Sequence, residues 1–358
     1  MTRILLTGGG TAGHVTPNIA LIPYLREKGF DIEYMGSYEG IEKKLIEAEG
    51  IPYTGIDSGK LRRYLSLQNL KDPAHIIHGF SEAKAYMKEN RPDVVFSKGG
   101  FVAVPVIFAA HELKIPVVIH ESDLTPGLAN KLCIPKADKI CYNFPETESY
   151  LKGKGIHTGL PIRKQLLEGS AERGLAACGF TGDKPVLMVI GGSLGSQNVN
   201  KLVRDSLPDL LKRYNILHLC GRGNVDETLI GTPGYKQFAY VTDDLKDYFA
   251  LADVVVSRAG ANAICEILAL HKPNILIPLG TAGSRGDQLL NAKSFAHQGF
   301  SEVLLEEDAT PQKLIALIDE IYADRADWAF RMEASQLDTG VSNIIHLIKK
   351  LSGMKKTN

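Results

Sequence analysis

The sequence has few cysteines, and no two of them are spaced as a metal-binding or redox pair. The five lie at positions 133, 141, 178, 220 and 265 of 358 residues, without a C-x-x-C motif. Most of them fall within apolar runs typical of strands or helices. We therefore predict buried, reduced thiols rather than disulfides or a metal site.

An excess of charge of either sign and long apolar runs are also missing. Forty-one basic residues balance 41 acidic ones, so no nucleic-acid partner is indicated. No apolar run is long enough to span a bilayer, and the chain enters a strand at Arg3, before a signal peptide could fit. With 44% hydrophobic residues, the chain is expected to be a soluble cytoplasmic protein of two globular domains.

Short Val- and Ile-rich runs alternate with helical patterns along the chain. The predicted strands are 3–8, 31–36, 51–56, 92–98, 116–122 and 139–143 in the first half, and 184–192, 215–221, 236–241, 253–260, 273–278 and 301–307 in the second. Their continuous apolar character is typical of parallel strands covered by helices on both faces. The predicted fold class is α/β, with two Rossmann-like, doubly wound parallel-sheet domains facing a cleft.

Glycine and proline interrupt this pattern at 153–169, where the domain boundary is predicted. The expected domains are 1–160 and 161–340, followed by an amphipathic helix and basic tail at 341–358. Ligands of open α/β sheets bind beyond the carboxyl ends of the strands. Each domain is therefore expected to hold one substrate.

The first strand runs into "GGGTAGH", whose glycines at 8, 10 and 13 match the dinucleotide fingerprint G-x-G-x-x-G. With Pro17 in the first turn of the next helix, the loop offers bare amides to an anion such as a phosphate. NAD binding also needs an acidic residue at the end of the second strand, which here ends in Met-Gly-Ser at 35–37. A phosphate or glycan ligand is therefore favoured over NAD.

His14 directly follows the last glycine of this loop. A helix N-terminus disfavours the imidazolium, so His14 is expected to be neutral near pH 7 and able to accept a proton as a general base. The alternative, that it only closes the start of the helix, stays open at this point.

Three further stretches combine glycines with polar side chains. The loop at 190–203 carries Ser193 and repeats the strand–glycine–helix pattern, which suits a diphosphate or is a plain βα turn. In 257–270, Asn262 and Glu266 share a helix face, where a carboxylate would bind a ribose diol unless it is only solvated. In 280–299, Gln288 and its polar neighbours suit sugar hydroxyls, unless Asp287 simply caps the helix.

Seven motifs together resemble one family. "GGTAGHVTP", "GGFVAVP", "HESDLTPGLAN", "TGLPIR", "GGSLGSQ", "SRAGANAICE" and "DQLLNA" occur in its order and spacing, over nearly the whole chain. The chain resembles the bacterial cell-wall glycosyltransferases that add N-acetylglucosamine (GlcNAc) to lipid I, the polyprenyl-diphosphate-linked MurNAc-pentapeptide, to make lipid II. The resemblance implies a GT-B fold, an acceptor-binding N-terminal domain that faces the membrane, and a C-terminal domain that binds UDP-GlcNAc. It also implies transfer to the MurNAc 4-hydroxyl with inversion of the anomeric centre.

The resemblance also implies roles for single residues. His14 takes the place of the proposed general base, and the donor would be bound by Thr11, Ala12, Gly13, Arg163, Ser193, Val241, Glu266 and Gln288. The acceptor would be bound by Phe101, His120, Glu121 and Asp123. Three of these depart from the family pattern: Phe101 replaces a tyrosine, Asp123 an asparagine and Ala12 a glycine. Asp123 would place an extra carboxylate before a diphosphate, so its contact is open.

The chemistry expected of this family needs a base for a sugar hydroxyl and donors for the UDP leaving group. The Ser193 loop and Arg163 would supply those donors. No Asp-x-Asp is placed to bridge a metal and a diphosphate, so helix N-termini are expected in place of a tightly held cation. Stimulation by a loosely bound divalent cation stays open.

A lipid-linked acceptor requires contact with the membrane. The segment 59–71 mixes apolar and basic residues, which suits an anionic bilayer surface. The predicted membrane contacts are Leu61, Tyr64, Leu65 and Leu67, on the cytoplasmic face as a peripheral protein. The basic tail either adds attraction or is only solvated.

Four other functions are compatible with parts of the sequence. They are a transferase moving galactose or glucose onto a diacylglycerol lipid, a non-hydrolysing UDP-sugar epimerase, a non-catalytic nucleotide-binding protein, and a dehydrogenase. The missing acidic residue at 35–37 places the dehydrogenase last.

Overall fold

A computed structural model describes residues 2–59, 72–192, 194–280, 286–335 and 340–354. The chain forms two compact units. The first comprises Met1–Arg163 together with Thr339–Asn358, and the second comprises Lys164–Asp338. The C-terminal segment thus returns to the first unit.

The first unit is built around a parallel sheet of seven strands over its described residues, in the order β3-β2-β1-β4-β5-β6-β7. The strands are β1 (Thr2–Thr7), β2 (Phe30–Ser37), β3 (Tyr53–Ile56), β4 (Val94–Ser97), β5 (Val117–Glu121), β6 (Lys139–Tyr142) and β7 (Gly155–His157). The order turns back between β1 and β4, and loops that follow those two strands meet at that point of the carboxyl edge. That is where an open α/β sheet binds its ligands.

Helices of the first unit follow the strands in the usual βα alternation. They are α1 (Thr16–Glu27), α2 (Ile41–Ala48), α3 (Asp72–Asn90), α4 (Ala103–Glu112), α5 (Leu128–Cys133) and α13 (Gly340–Leu351). The start of α1 has a proline in its first turn, as the sequence predicts, where the missing N–H costs no hydrogen bond. A 3-10 turn at Ala12–His14 precedes it, so His14 lies just before the helix.

The last helix completes the core of the first unit. Val341, Ile344, Ile345, Leu347 and Ile348 of α13 are buried in the same cluster as residues of β1 and α1. Two of them, Ile344 and Ile348, are fully buried, and each such side chain contributes about 1.5–3 kcal/mol by leaving water. Amphipathic periodicity predicts this helix but not its partner.

The second unit repeats the architecture with six parallel strands over its described residues, in the order β10-β9-β8-β11-β12-β13. They are β8 (Val186–Ile190), β9 (Asn215–Leu219), β10 (Tyr235–Phe238), β11 (Val254–Ser257), β12 (Asn274–Leu276) and β13 (Glu302–Val303). Its helices are α6 (Ala171–Cys178), α7 (Gln197–Leu210), α8 (Leu245–Leu251), α9 (Ala261–Ala269), α10 (Asp287–His297), α11 (Pro311–Ala323) and α12 (Arg325–Ala334). The predicted class of two doubly wound parallel-sheet domains is confirmed.

The strand prediction missed one strand, and several predicted strands extend beyond the observed ends. β7 was missed, because its three residues lie in the segment read as a glycine- and proline-rich boundary. The third predicted strand begins at Tyr53 rather than at residue 51. The last shrinks to Glu302–Val303, because the chain turns into a short 3-10 helix at Glu306.

The cysteine prediction is confirmed, since all five thiols are free and buried. Burial raises the pKa of Cys133 and of Cys141 to about 12. Among the described residues, no helix has both the length and the apolar character needed to cross a membrane.

Candidate functional site

The first glycine loop is held by backbone hydrogen bonds of Gly8 and Gly9 and by the backbone conformation of Gly10. The carbonyl of Gly8 accepts from the Tyr34 hydroxyl at 2.7 Å. The Gly9 amide donates to the Gly99 carbonyl at 3.3 Å, which joins the loops after β1 and β4. The Gly10 residue has a φ of +85°, a conformation that favours glycine.

His14 is held by the same loop. Its Nδ1 lies 3.0 Å from the Gly9 carbonyl oxygen and 3.1 Å from the Thr11 hydroxyl. A carbonyl oxygen can only accept, so the proton lies on Nδ1 and the lone pair on Nε2. This tautomer suits a base that acts through Nε2. Thr11 and Ala12 are exposed, while Gly13 and His14 are half-buried.

A carboxylate that the sequence did not identify as part of the site contacts this loop from α2. Glu42, in the first turn of α2, has a fully buried side chain. Its carboxylate accepts from the Gly10 amide at 3.1 Å, the Ser37 amide at 3.1 Å and the Ser37 hydroxyl. The carboxylate is thus bound by groups of the protein itself.

His120 and Glu121, predicted to bind the acceptor, lie inside the protein. His120 is fully buried, and its Nε2 is 2.9 Å from the Gly159 carbonyl. Burial and the nearby Lys98 charge hold the pKa of His120 well below its usual value of 6.5. Both are the last residues of the buried strand β5, and their side chains bond to the protein rather than face the surface.

Glu121 organises the loop that follows β5. Its carboxylate accepts from the backbone amides of Asp123 and Gly127 at 3.0 and 3.1 Å, and from the Asn130 side chain at 2.8 Å. Burial, together with the negative charge of Asp123, raises the pKa of Glu121. Asp123 itself is half-buried, and Phe101 packs partly against the core.

Lys98 is a second group that the sequence did not reveal. It follows β4 and is 2% exposed, and its amine donates to the Ser122 hydroxyl. A buried lysine is uncommon, and the buried Glu121 lies close enough for the Lys98 charge to act on its pKa. Both side chains bond to the segment after β5, Lys98 to Ser122 and Glu121 to the amides of Asp123 and Gly127.

In the second unit, Arg258 holds the carboxyl edge of the sheet together. The side chain is nearly buried and donates to the Ile277 carbonyl at 2.9 Å, to Ser196 Oγ at 2.6 Å and to Glu306 Oε1 at 2.9 Å. Ser196 is also the N-cap of α7, where its Oγ accepts from the Val199 amide. The arginine therefore ties three strand ends to the start of the helix that follows the second glycine loop.

The predicted face of α9 is confirmed. The helix begins at Ala261, and Ile264, Ile267 and Leu268 are its buried stripe. Asn262 and Glu266 lie half-buried on another face, one turn apart.

Gln288 lies in the first turn of α10, and its Oε1 accepts from the Leu279 amide at 3.0 Å. Asn291, one turn later, is buried and donates to the Ala259 carbonyl at 3.2 Å. These bonds join α10 to the loops after β11 and β12. The N-cap of this helix is Gly286, and Asp287 is its first residue.

An exposed aromatic ring precedes Val241. Tyr240 is 48% exposed, and the Arg222 guanidinium carbon lies 4.4 Å from the centroid of its ring. Val241 is half-buried after β10, and Arg163 is half-buried at the end of the first unit. The sequence singled out Val241 but neither member of the stacked pair.

Several predicted residues lie outside the described part of the chain. They are Ser193 and the membrane contacts Leu61, Tyr64, Leu65 and Leu67. Within the ranges that are described, no cluster of three or more His, Cys, Asp or Glu side chains could hold a metal ion.

Two family models match the chain in sequence order. The glycosyltransferase family 28 N-terminal domain matches residues 4–142, and the family 28 C-terminal domain matches residues 186–348. The first match covers the strands β1 to β6, and the second covers all six strands of the second sheet and most of α13.

Known proteins are similar over nearly the whole length. A protein of Lachnospira eligens, named UDP-N-acetylglucosamine--N-acetylmuramyl-(pentapeptide) pyrophosphoryl-undecaprenol N-acetylglucosamine transferase, is 57% identical over 98% of this chain and 99% of its own. The crystal structure of Acinetobacter baumannii MurG aligns with a TM-score of 0.78 and 25% identity, over 98% of this chain and 100% of that one. A UDP-N-acetylglucosamine 2-epimerase structure from Listeria monocytogenes, described as putative, aligns with a TM-score of 0.70 and 12% identity, over 99% and 97% of the two chains. That last likeness shows the fold alone.

Proposed function

This chain belongs to glycosyltransferase family 28, and we infer from its full-length relatives that it transfers GlcNAc from UDP-GlcNAc to undecaprenyl-pyrophosphoryl-MurNAc-pentapeptide, which is lipid I. The product is lipid II, the precursor of peptidoglycan. The observation that carries this function is the 57% identity over 98% of the chain. The resemblance implies attack by the MurNAc 4-hydroxyl with inversion at the anomeric carbon.

His14 is the proposed general base. The bond from its Nδ1 to the Gly9 carbonyl supports this role, because it leaves on Nε2 the lone pair that a base needs. The acceptor hydroxyl would lose its proton to Nε2 as its oxygen bonds to the anomeric carbon and UDP departs. Thr11, Ala12 and Gly13, beside this base, would contact the donor sugar and diphosphate.

The second unit is proposed to bind the UDP moiety. Glu266 would accept hydrogen bonds from the ribose diol, and the amide nitrogen of Gln288 would donate to a GlcNAc hydroxyl while its oxygen holds Leu279. Val241 would offer backbone groups to uracil. The Ser193 loop and Arg163 would stabilise the charge that develops on the leaving diphosphate.

The first unit is proposed to bind the acceptor around the loop 122–127. Of the four predicted acceptor residues, Asp123 and Phe101 are half-buried, whereas His120 and Glu121 are buried. His120 and Glu121 would act indirectly, since Glu121 fixes the loop through three hydrogen bonds. The extra negative charge of Asp123 lies close enough to Glu121 to raise its pKa.

A lipid-linked acceptor places the enzyme at the membrane. We propose peripheral binding at the cytoplasmic face through Leu61, Tyr64, Leu65 and Leu67. Basic residues of the same segment would attract anionic lipids, at about 1 kcal/mol for each residue near the surface.

A transfer assay tests the function. Purified protein is incubated with labelled UDP-GlcNAc, with and without a lipid I analogue in detergent. Label should reach the analogue, and nothing should be turned over without it. An isomerised donor would instead indicate an epimerase, and transfer to diacylglycerol would indicate the lipid glycosyltransferase alternative.

The same assay tests the base. His14→Ala should lower kcat by a factor of about a hundred or more and leave the dissociation constant of UDP-GlcNAc nearly unchanged. A kcat close to that of the wild type would place the base elsewhere.

A further inference from the structure

The buried carboxylate of Glu42 is bonded to the first glycine loop, whose amides the sequence pattern predicts to face an anionic ligand. It accepts from the Gly10 amide and from two groups of Ser37, and its side chain is fully buried. The Gly10 amide is therefore already satisfied by the protein itself. In this loop, one of the donors that the glycine pattern offers to a phosphate serves an internal anion.

Three glycines make the room for this carboxylate. A Cβ on Gly9 would lie 2.5 Å from the Glu42 carboxylate, and one on Gly40 would lie 2.1 Å from it. A Cβ on Gly36 would lie 2.9 Å from Glu42 Cγ. The Glu42 side chain therefore fits a space that only glycine at these three positions leaves open.

Glu42 and His14 bind the two ends of a single peptide group. The Gly10 N–H, which donates to Glu42, and the Gly9 C=O, which accepts from His14 Nδ1, belong to the same planar unit. Both flanking residues are glycines, so the plane could rotate at little steric cost. If it flipped, an N–H would face the imidazole and favour the opposite tautomer. The Glu42 carboxylate opposes that flip because it needs the N–H on its own side.

We propose that Glu42 is a positioning residue that sets the tautomer of His14 through the Gly9–Gly10 peptide plane. The proposal rests on the proposed role of His14 as the base. The carboxylate holds the plane, the plane presents its carbonyl to Nδ1, and Nε2 then carries the lone pair that accepts the acceptor proton. Glu42 itself touches neither substrate.

The tautomer can be read directly by NMR on protein labelled with ¹⁵N-histidine, with His14→Ala assigning the signal. The wild type at neutral pH should show the Nδ1–H form. In Glu42→Gln, only one accepting oxygen remains, and the two Ser37 donors should retain it. The amide NH2 then faces the Gly10 N–H, so the plane loses its bond and the Nε2–H form should appear. Glu42→Asp, one methylene too short to reach, should do the same. Glu47→Gln, on the exposed side of the same helix, is the matched control and should leave the signal unchanged.

Kinetics give the second readout. Glu42→Gln should lower kcat roughly ten- to a hundredfold, with the dissociation constant of UDP-GlcNAc unchanged, because only the base is misplaced. A wild-type His14 in the Nε2–H form would overturn the proposal whether or not the variants fold. So would a folded Glu42→Gln protein that keeps the wild-type tautomer and kcat. If His14→Ala is fully active, the assignment of the base fails instead, and the tautomer result still decides whether Glu42 controls the plane.

Discussion

Replacing Arg258 by alanine should destabilise the second unit and weaken donor binding together. The guanidinium makes three hydrogen bonds, to Ile277, Ser196 and Glu306, and the residue is only 9% exposed. Without it, the Ile277 carbonyl, the Ser196 hydroxyl and the Glu306 carboxylate each lose one donor. Hydrogen bonds to charged groups contribute about 1.5–3 kcal/mol each, and the partial exposure of Glu306 reduces the total. We expect the free energy of unfolding to fall by about 2–4 kcal/mol.

The loss should also reach the donor site, because Ser196 caps α7 directly after the second glycine loop. The dissociation constant of UDP-GlcNAc is expected to rise by about tenfold or more. Urea denaturation gives the stability and titration calorimetry the affinity. Arg213→Ala is the control, since Arg213 also pairs with a carboxylate, Asp319, but with both side chains much more exposed. That variant should lose less than about 1 kcal/mol.

A double-mutant cycle isolates the ion pair. Arg258 lowers the pKa of Glu306 against the opposing effect of burial, so the carboxylate is charged at neutral pH. Glu306→Gln should therefore lower stability much less in the Arg258→Ala background than in the wild type. The reasoning is refuted if Arg258→Ala unfolds within about 0.5 kcal/mol of the wild type, or if both losses match those of the Arg213 control.

Three further outcomes are expected. Glu266→Gln should weaken UDP-GlcNAc binding about tenfold, measured by calorimetry against the exposed Glu320→Gln control, and equal affinities would remove Glu266 from the ribose site. Burial lowers the pKa of His218 to about 3, so between pH 6.5 and 5 only the unfolded chain gains a proton at this residue. Over that range the free energy of unfolding should fall by about 2 kcal/mol more in the wild type than in His218→Gln. Parallel curves of stability against pH for the two proteins would argue against it. A variant with four polar replacements, at Leu61, Tyr64, Leu65 and Leu67, should no longer sediment with anionic vesicles. Its transfer to a detergent-soluble acceptor should persist. Undiminished binding of this variant to the vesicles would mean that the membrane contact lies elsewhere.

The sequence predicted the two sheets well because their strands are covered on both faces. Such strands read as unbroken Val- and Ile-rich runs, as in β8 and β11, and these are hard to mistake. β7 failed this test, since Gly155–His157 is short and polar and joins the sheet at its edge. Its pairing with β6 depends on tertiary contacts, which the local sequence pattern does not predict.

The candidate site was predicted only in part, for a related reason. Motifs identified the residues near the strand ends but not how deep each side chain lies. His120 and Glu121 resemble ligand-binding residues in the sequence, yet they continue β5 and share its burial. Glu42 carried no recognisable signal, because its importance depends on α2 returning over the first glycine loop.

The return of α13 to the first unit has a consequence for how the protein is made. The surface that Ile344 and Ile348 cover is formed by the earliest segments of the chain, among them Leu21 and Leu25 of α1. During synthesis, that apolar surface stays uncovered until more than 300 further residues, including α13, have been added. The first unit is therefore expected to finish folding only after the second unit has been synthesised, although domains made first usually fold first. A fragment ending at Arg163 would keep the seven strands but expose this surface, and should aggregate unless the last helix is supplied to it.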